Sequence, residues 1–93
     1  MNAVRGRRGV ADIKIYTSSM SADCRKAKKY LDDEGFFYDE IDIDKSPEAA
    51  RMVLSANGGK RVVPTFEIDG RVFSLKPFDW KRLASELEEE GIE

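Results

Sequence analysis

The sequence predicts an α/β domain, and three observations carry that reading. Short alternations of apolar and polar residues mark strands near residues 13–16, 37–43 and 62–68. Between and after them, apolar residues recur at i, i+3, i+4 and i+7, the spacing of a helix with one buried face. Asp69-Gly70 then suits a two-residue type I′ turn, so residues 71–73 should return antiparallel as a hairpin. The order is strand, helix, strand, helix, hairpin, helix.

Each element has its own justification. Ile13 and Ile15 alternate with Lys14 and Tyr16, and the strand ends in the polar run Thr17, Ser18, Ser19. A helix follows in which Cys24, Ala27 and Leu31 fall at i, i+3 and i+7 beside Tyr30. They form the core stripe, while Arg25, Lys28 and Lys29 face water. Gly35 ends this helix as an αL cap. In the second strand Phe37, Ile41 and Ile43 share one face, and Asp and Glu side chains mark the other as solvated. One short connection between these two strands makes the pair a right-handed parallel unit. Ser46-Pro47-Glu48 is a helix start: serine caps free amides, proline takes the first helical position, and an acid meets the positive end of the dipole. That helix runs to about Asn57, and Asn57-Gly58-Gly59 breaks it before a strand with Pro64 at its head. In the last helix Trp80, Leu83, Ala84 and Leu87 share a face, and Glu86, Glu88, Glu89 and Glu90 form a solvated acidic end.

Ninety-three residues fit one small domain over residues 11–93, preceded by a flexible basic tail over residues 1–10 that carries Arg5, Arg7 and Arg8. One cysteine excludes an intramolecular disulfide, and a single cysteine with no histidine argues against a structural zinc site. A net charge of −2 argues against a nucleic-acid partner, which wants clustered Lys and Arg interleaved with aromatics. No apolar run is long enough to span a bilayer, and the first residues lack the apolar centre of a secretory signal. A cytoplasmic monomer with no tightly bound cofactor is the expectation.

Ser21-Ala22-Asp23-Cys24 stands where the first strand gives way to the first helix, with the spacing of a C-x-x-C redox pair and serine in the first place. A helix N-terminus lowers a thiol's pKa from about 8.5 to roughly 3.5–7.5, which is what makes the first cysteine of such a pair a thiolate. A serine hydroxyl there stays protonated, and no histidine is present to act as its base. Taken alone, Ser21 is a helix N-cap and Cys24 a small buried apolar residue.

The segment from Tyr16 to Lys28, with Ser21 and Cys24 at the two cysteine positions, resembles the strand, active-site loop and first helix of the glutaredoxins. Asn57-Gly58-Gly59-Lys60-Arg61-Val62-Val63-Pro64 resembles the stretch that carries their cis-proline, and Asp69-Gly70-Arg71 their hairpin turn. The resemblance covers roughly residues 11–90. It implies a thioredoxin-like fold, β-α-β-α-β-β-α, with a four-stranded mixed sheet flanked by three helices. It also implies thiol-disulfide exchange, with Ser21 at the nucleophile position, Cys24 at the resolving position, and Lys60, Arg61, Val63, Pro64 and Asp79 around the thiol ligand. A cis Val63-Pro64 bond is expected, since X-Pro pays only about 0.5–1 kcal/mol for that geometry where other residues pay about 2.5–4. The glycine pair that follows the hairpin in glutathione-binding members is replaced by Phe73-Ser74-Leu75-Lys76-Pro77-Phe78-Asp79. This stretch is similar instead to small redoxins that serve ribonucleotide reductase or mycothiol. The implied partners are a protein disulfide and glutathione or another low-molecular-weight thiol as co-substrate. Two functions stay open: a redox protein in which serine replaces cysteine or selenocysteine at position 21, inactive in this form, and a degenerate module that binds a peptide or thiol ligand in the cis-proline groove without turnover.

Overall fold

The computed structural model describes residues 12–89. Its elements run β1 (Ile13–Thr17), α1 (Ala22–Asp33), β2 (Asp39–Asp42), α2 (Pro47–Ala56), β3 (Thr65–Ile68), β4 (Arg71–Ser74) and α3 (Trp80–Glu89). The basic tail over residues 1–10 and Glu90 lie outside the described residues.

The sheet has the order β2-β1-β3-β4. β1 pairs parallel with β2, Ile15 opposite Glu40, and antiparallel with β3, Ile15 opposite Phe66. The β3–β4 hairpin turns at Asp69 and Gly70, both at positive φ (49° and 92°), as a type I′ turn requires. Side chains alternate across the sheet, so β1 feeds two cores. Ile13 and Ile15 join Phe66 and Ile68 under Ala27 and Leu31 of α1 and Leu83 and Leu87 of α3. Tyr16, on the opposite parity, joins Ala49 and Val53 of α2 together with Ile43 and Val63. Among the described residues no helix is long and apolar enough to cross a membrane.

The helix boundaries follow from capping chemistry. Ser46 Oγ accepts the Ala49 N–H at 3.2 Å, and Pro47 begins α2. At the end of α1, Gly35 takes φ 79°; its N–H donates to the Asp32 carbonyl and that of Phe36 to the Leu31 carbonyl, a Schellman closure. That closure corrects the second strand. Phe36 is the aromatic residue turned into the core, next to Leu31, whereas Phe37 is 72% exposed and β2 begins only at Asp39.

Three further differences concern faces. Cys24 packs with Tyr16, Ile43, Ala49, Val53 and Val63, a different cluster from Ala27 and Leu31. It sits in the first turn of α1, where the helix passes the end of β1. Trp80 is 53% exposed instead of joining Leu83 and Leu87 in the core; it stacks on Tyr30, with centroids 6.0 Å apart. Glu86 is not free in solvent, for it pairs with Arg71.

Candidate functional site

β1 delivers the chain to the loop at residues 18–21, and Ser21 turns it into α1. Ser21 has extended geometry (φ −93°, ψ 120°), and its Oγ accepts the Cys24 N–H at 3.1 Å. Its own N–H donates to the Ser18 carbonyl at 3.2 Å, which tightens the loop. Asp23 places an acid in the first turn. Cys24, three residues further into the helix, is 1% exposed, and its thiol is free.

Above this helix start lies a cavity of about 400 Å³. Ser18, Met20, Ser21 and Asp23 line it from the β1–α1 side, Arg61 and Val63 from the segment before β3, and Lys76 from the segment after β4. The peptide bonds Val63-Pro64 and Lys76-Pro77 are both cis. Pro64 is buried behind Val63. A polar network fixes this segment from below: Thr65 Oγ1 donates to the Val62 carbonyl at 2.7 Å, and Asn57 Nδ2 donates to Thr65 Oγ1 at 3.2 Å and to the Val53 carbonyl at 2.8 Å. Asn57 Oδ1 accepts from Ser74 Oγ at 2.8 Å. Thr65 is fully buried, so the two bonds at its Oγ1 satisfy a hydroxyl that would otherwise lose water without replacement.

The structure thus brings together Ser21, Arg61 and Val63, with Cys24 beneath and Pro64 behind. Lys60 is exposed and does not line the cavity. Asp79 lies elsewhere: its Oδ1 accepts the Lys81 N–H at 2.9 Å at the start of α3, beside a second cavity floored by Tyr30, Phe78 and Trp80. The residue missed by sequence reading is Asp44. Its carboxylate accepts from Ser18 Oγ at 2.9 Å and from the Arg61 guanidinium. Arg61 first, and Ser18 next, hold its carboxyl below the usual carboxylate range. An acid in the turn after an acidic strand looks like ordinary solvated charge, so only the fold reveals its neighbours. Deeper along α1, Glu40 Oε2 accepts from Lys28 Nζ and Thr17 Oγ1, both at 2.9 Å, and its pKa is lowered chiefly by Lys28. Among the described residues no group of His, Cys, Asp and Glu side chains is arranged to hold a metal ion.

A four-stranded mixed sheet in this order, with a helix N-terminus facing a proline-headed loop, defines a thioredoxin-like protein. Solved structures share that architecture: a glutaredoxin from Brucella melitensis is 28% identical, with 86% of this chain and 80% of that one superposed at a TM-score of 0.61. The glutaredoxin family model matches residues 13–73, which include every cavity-lining residue except Lys76. The chain belongs to the glutaredoxin family. Mycoredoxin 1 of Corynebacterium glutamicum is 35% identical over 68 residues, 73% of this chain and 84% of that protein. The glutaredoxin-like protein NrdH of Lactococcus lactis is 30% identical over 73 residues, 77% and 99% of the two chains. A Mycobacterium tuberculosis protein described as a glutaredoxin is 44% identical over 55 residues; the match spans 59% of this chain and 66% of the relative, just under two thirds.

Proposed function

We propose that this glutaredoxin-like redox protein belongs to the thiol-disulfide exchange class and that, with serine at position 21, it receives its ligand without beginning the exchange. The observation that carries this reading is the place of Ser21, capping the helix start and lining the cavity, where a nucleophilic cysteine would stand. Exchange begins when a thiolate attacks one sulfur of a disulfide, forms a mixed disulfide and expels the other sulfur as a thiolate. The hydroxyl of Ser21 is an unactivated nucleophile, since the chain has no histidine. Cys24 has the right chemistry but no access.

The cavity and its network do not depend on a sulfur at position 21, so the binding part of the function remains in place. Arg61 and Val63 form the wall against which an extended cysteine-containing ligand would lie, with backbone groups of the proline-headed loop available to it. A low-molecular-weight mixed disulfide or a protein disulfide in a reducing cytoplasm fits this reading, and the kinship with mycoredoxin 1 and NrdH makes those redoxins the models for this chain.

A coupled disulfide-reductase assay with a small mixed disulfide tests the proposal. The unaltered chain should show turnover at background, and Ser21→Cys should raise it well above that level. Comparable turnover by both proteins would overturn it, whereas an inactive Ser21→Cys that still binds the mixed disulfide would favour a non-catalytic binding module.

A further inference from the structure

One carboxylate joins two walls of the cavity. Asp44, in the turn after β2, accepts from Ser18 Oγ at 2.9 Å, from a backbone bond at Ser19, and from the Arg61 guanidinium. Ser18 and Ser19 belong to the loop that leads into α1; Arg61 belongs to the segment before β3. The contact therefore sets both how far apart these walls stand and what charge they present. Arg61 is only half exposed and already faces an anion. The remaining charged side chains on the cavity, Asp23 and Lys76, are opposite in sign.

A ligand carboxylate brought to Arg61 would have to displace Asp44, which breaks its bonds to Arg61 and Ser18, or sit beside it, which sets like charges together. We propose that Asp44 is a specificity-determining residue: by holding Arg61 it selects cysteinyl amides that carry no carboxylate at this end of the cavity over anionic low-molecular-weight thiols. The inference rests on the reading of this cavity as the thiol-ligand site. Nothing in the redox step changes, because Asp44 acts on recognition alone.

Binding of two unreactive probes, S-methylglutathione and its diethyl ester, followed by amide NMR on the unaltered chain and on Asp44→Asn, tests it. Asparagine keeps the shape and an acceptor oxygen but removes the charge. The ester should bind the unaltered chain at least as well as the acid. Asp44→Asn should strengthen the acid by about three- to fivefold relative to the ester, the range of a partly exposed charge contact. Adding Arg61→Gln should cancel that gain. Asp39→Asn makes the same change of net charge on exposed β2 and should leave the ratio of the two affinities unaltered. Should Asp44→Asn fail to fold, Asp44→Ser, which keeps a hydroxyl for hydrogen bonding, should shift the ratio in the same direction. An unaltered chain that prefers the acid, or an unchanged ratio in the folded variants, would overturn the proposal while leaving the binding site intact. Absence of shifts at residues 18–23, 61–63 and 76 with both probes would overturn the proposal and the site reading together.

Discussion

Cys24 and Ser21 are three residues apart, and the fold treats them oppositely. Ser21 lines the cavity, while Cys24 is buried in the cluster that holds Tyr16, Val53 and Val63. Native protein should therefore react slowly with an alkylating reagent at neutral pH, and denaturant should speed the reaction to that of an unhindered thiol. Fast native labelling, followed by mass spectrometry, would show that the first turn of α1 opens far more readily than its packing implies. The inward stripe of α1 was legible because helical spacing alone places Cys24 on it. Its particular neighbours were not, since Ile43, Val53 and Val63 come from elements whose approach to α1 is set by the sheet order and not by any local pattern. Asp44 was illegible for the same reason: Ser18 and Arg61 lie 26 and 17 residues away.

Among the elements, the connection from α1 to β2 shows how one residue's conformation sets a register. Gly35 at φ 79° allows Phe36 to donate to the Leu31 carbonyl, and this closure points the Phe36 ring inward and Phe37 outward. Gly35→Ala should cost about 1–2 kcal/mol, the penalty for a Cβ in the left-handed region, and chemical denaturation would measure it. A loss much smaller than this would mean that the α1 terminus can close another way. Alternation by two places Phe37 with Ile41 and Ile43, so the sequence favoured the wrong phenylalanine. The Schellman closure, which begins outside the strand, overrode that alternation. Caps at Ser21 and Ser46 and the turn at Asp69-Gly70 were legible because each depends on residues within a few positions. Trp80 shows the limit of a helical stripe: at the first position of α3 it stays half exposed, with one ring face stacked on Tyr30.

The whole molecule responds to pH through a few buried or paired groups. Burial, then hydrogen bonds to Glu67 and Asp32, push Tyr16 and Tyr38 up to about 12 from an ordinary 10.0. A raised tyrosine pKa means that the fold favours the neutral phenol. That stability is fully present below pH 10 and is lost as pH rises from 10 toward 12. Thermal melts should thus fall across this window, and Tyr16→Phe, which cannot ionise, should flatten the fall; a melting temperature unchanged over it would contradict the assignment. Glu40 and Asp44 act in the opposite sense. Their lowered pKa values mean that the carboxylate is favoured in the fold, so their contribution is present above the ordinary carboxylate range and is lost as acid carries the pH down through the lowered values.

Among the described residues β2 is one edge of the sheet, and its residues are Asp39, Glu40, Ile41 and Asp42. If a second copy laid its own β2 antiparallel along this edge, Asp39 would come opposite Asp42 at both ends of the pairing, where like charges directly opposed are destabilising. An unpaired strand edge is an open template for self-association, and acidic residues along it blunt that hazard. The carboxylates of β2 therefore do more than tie α1 to the sheet through Glu40: they discourage two copies from joining their sheets edge to edge.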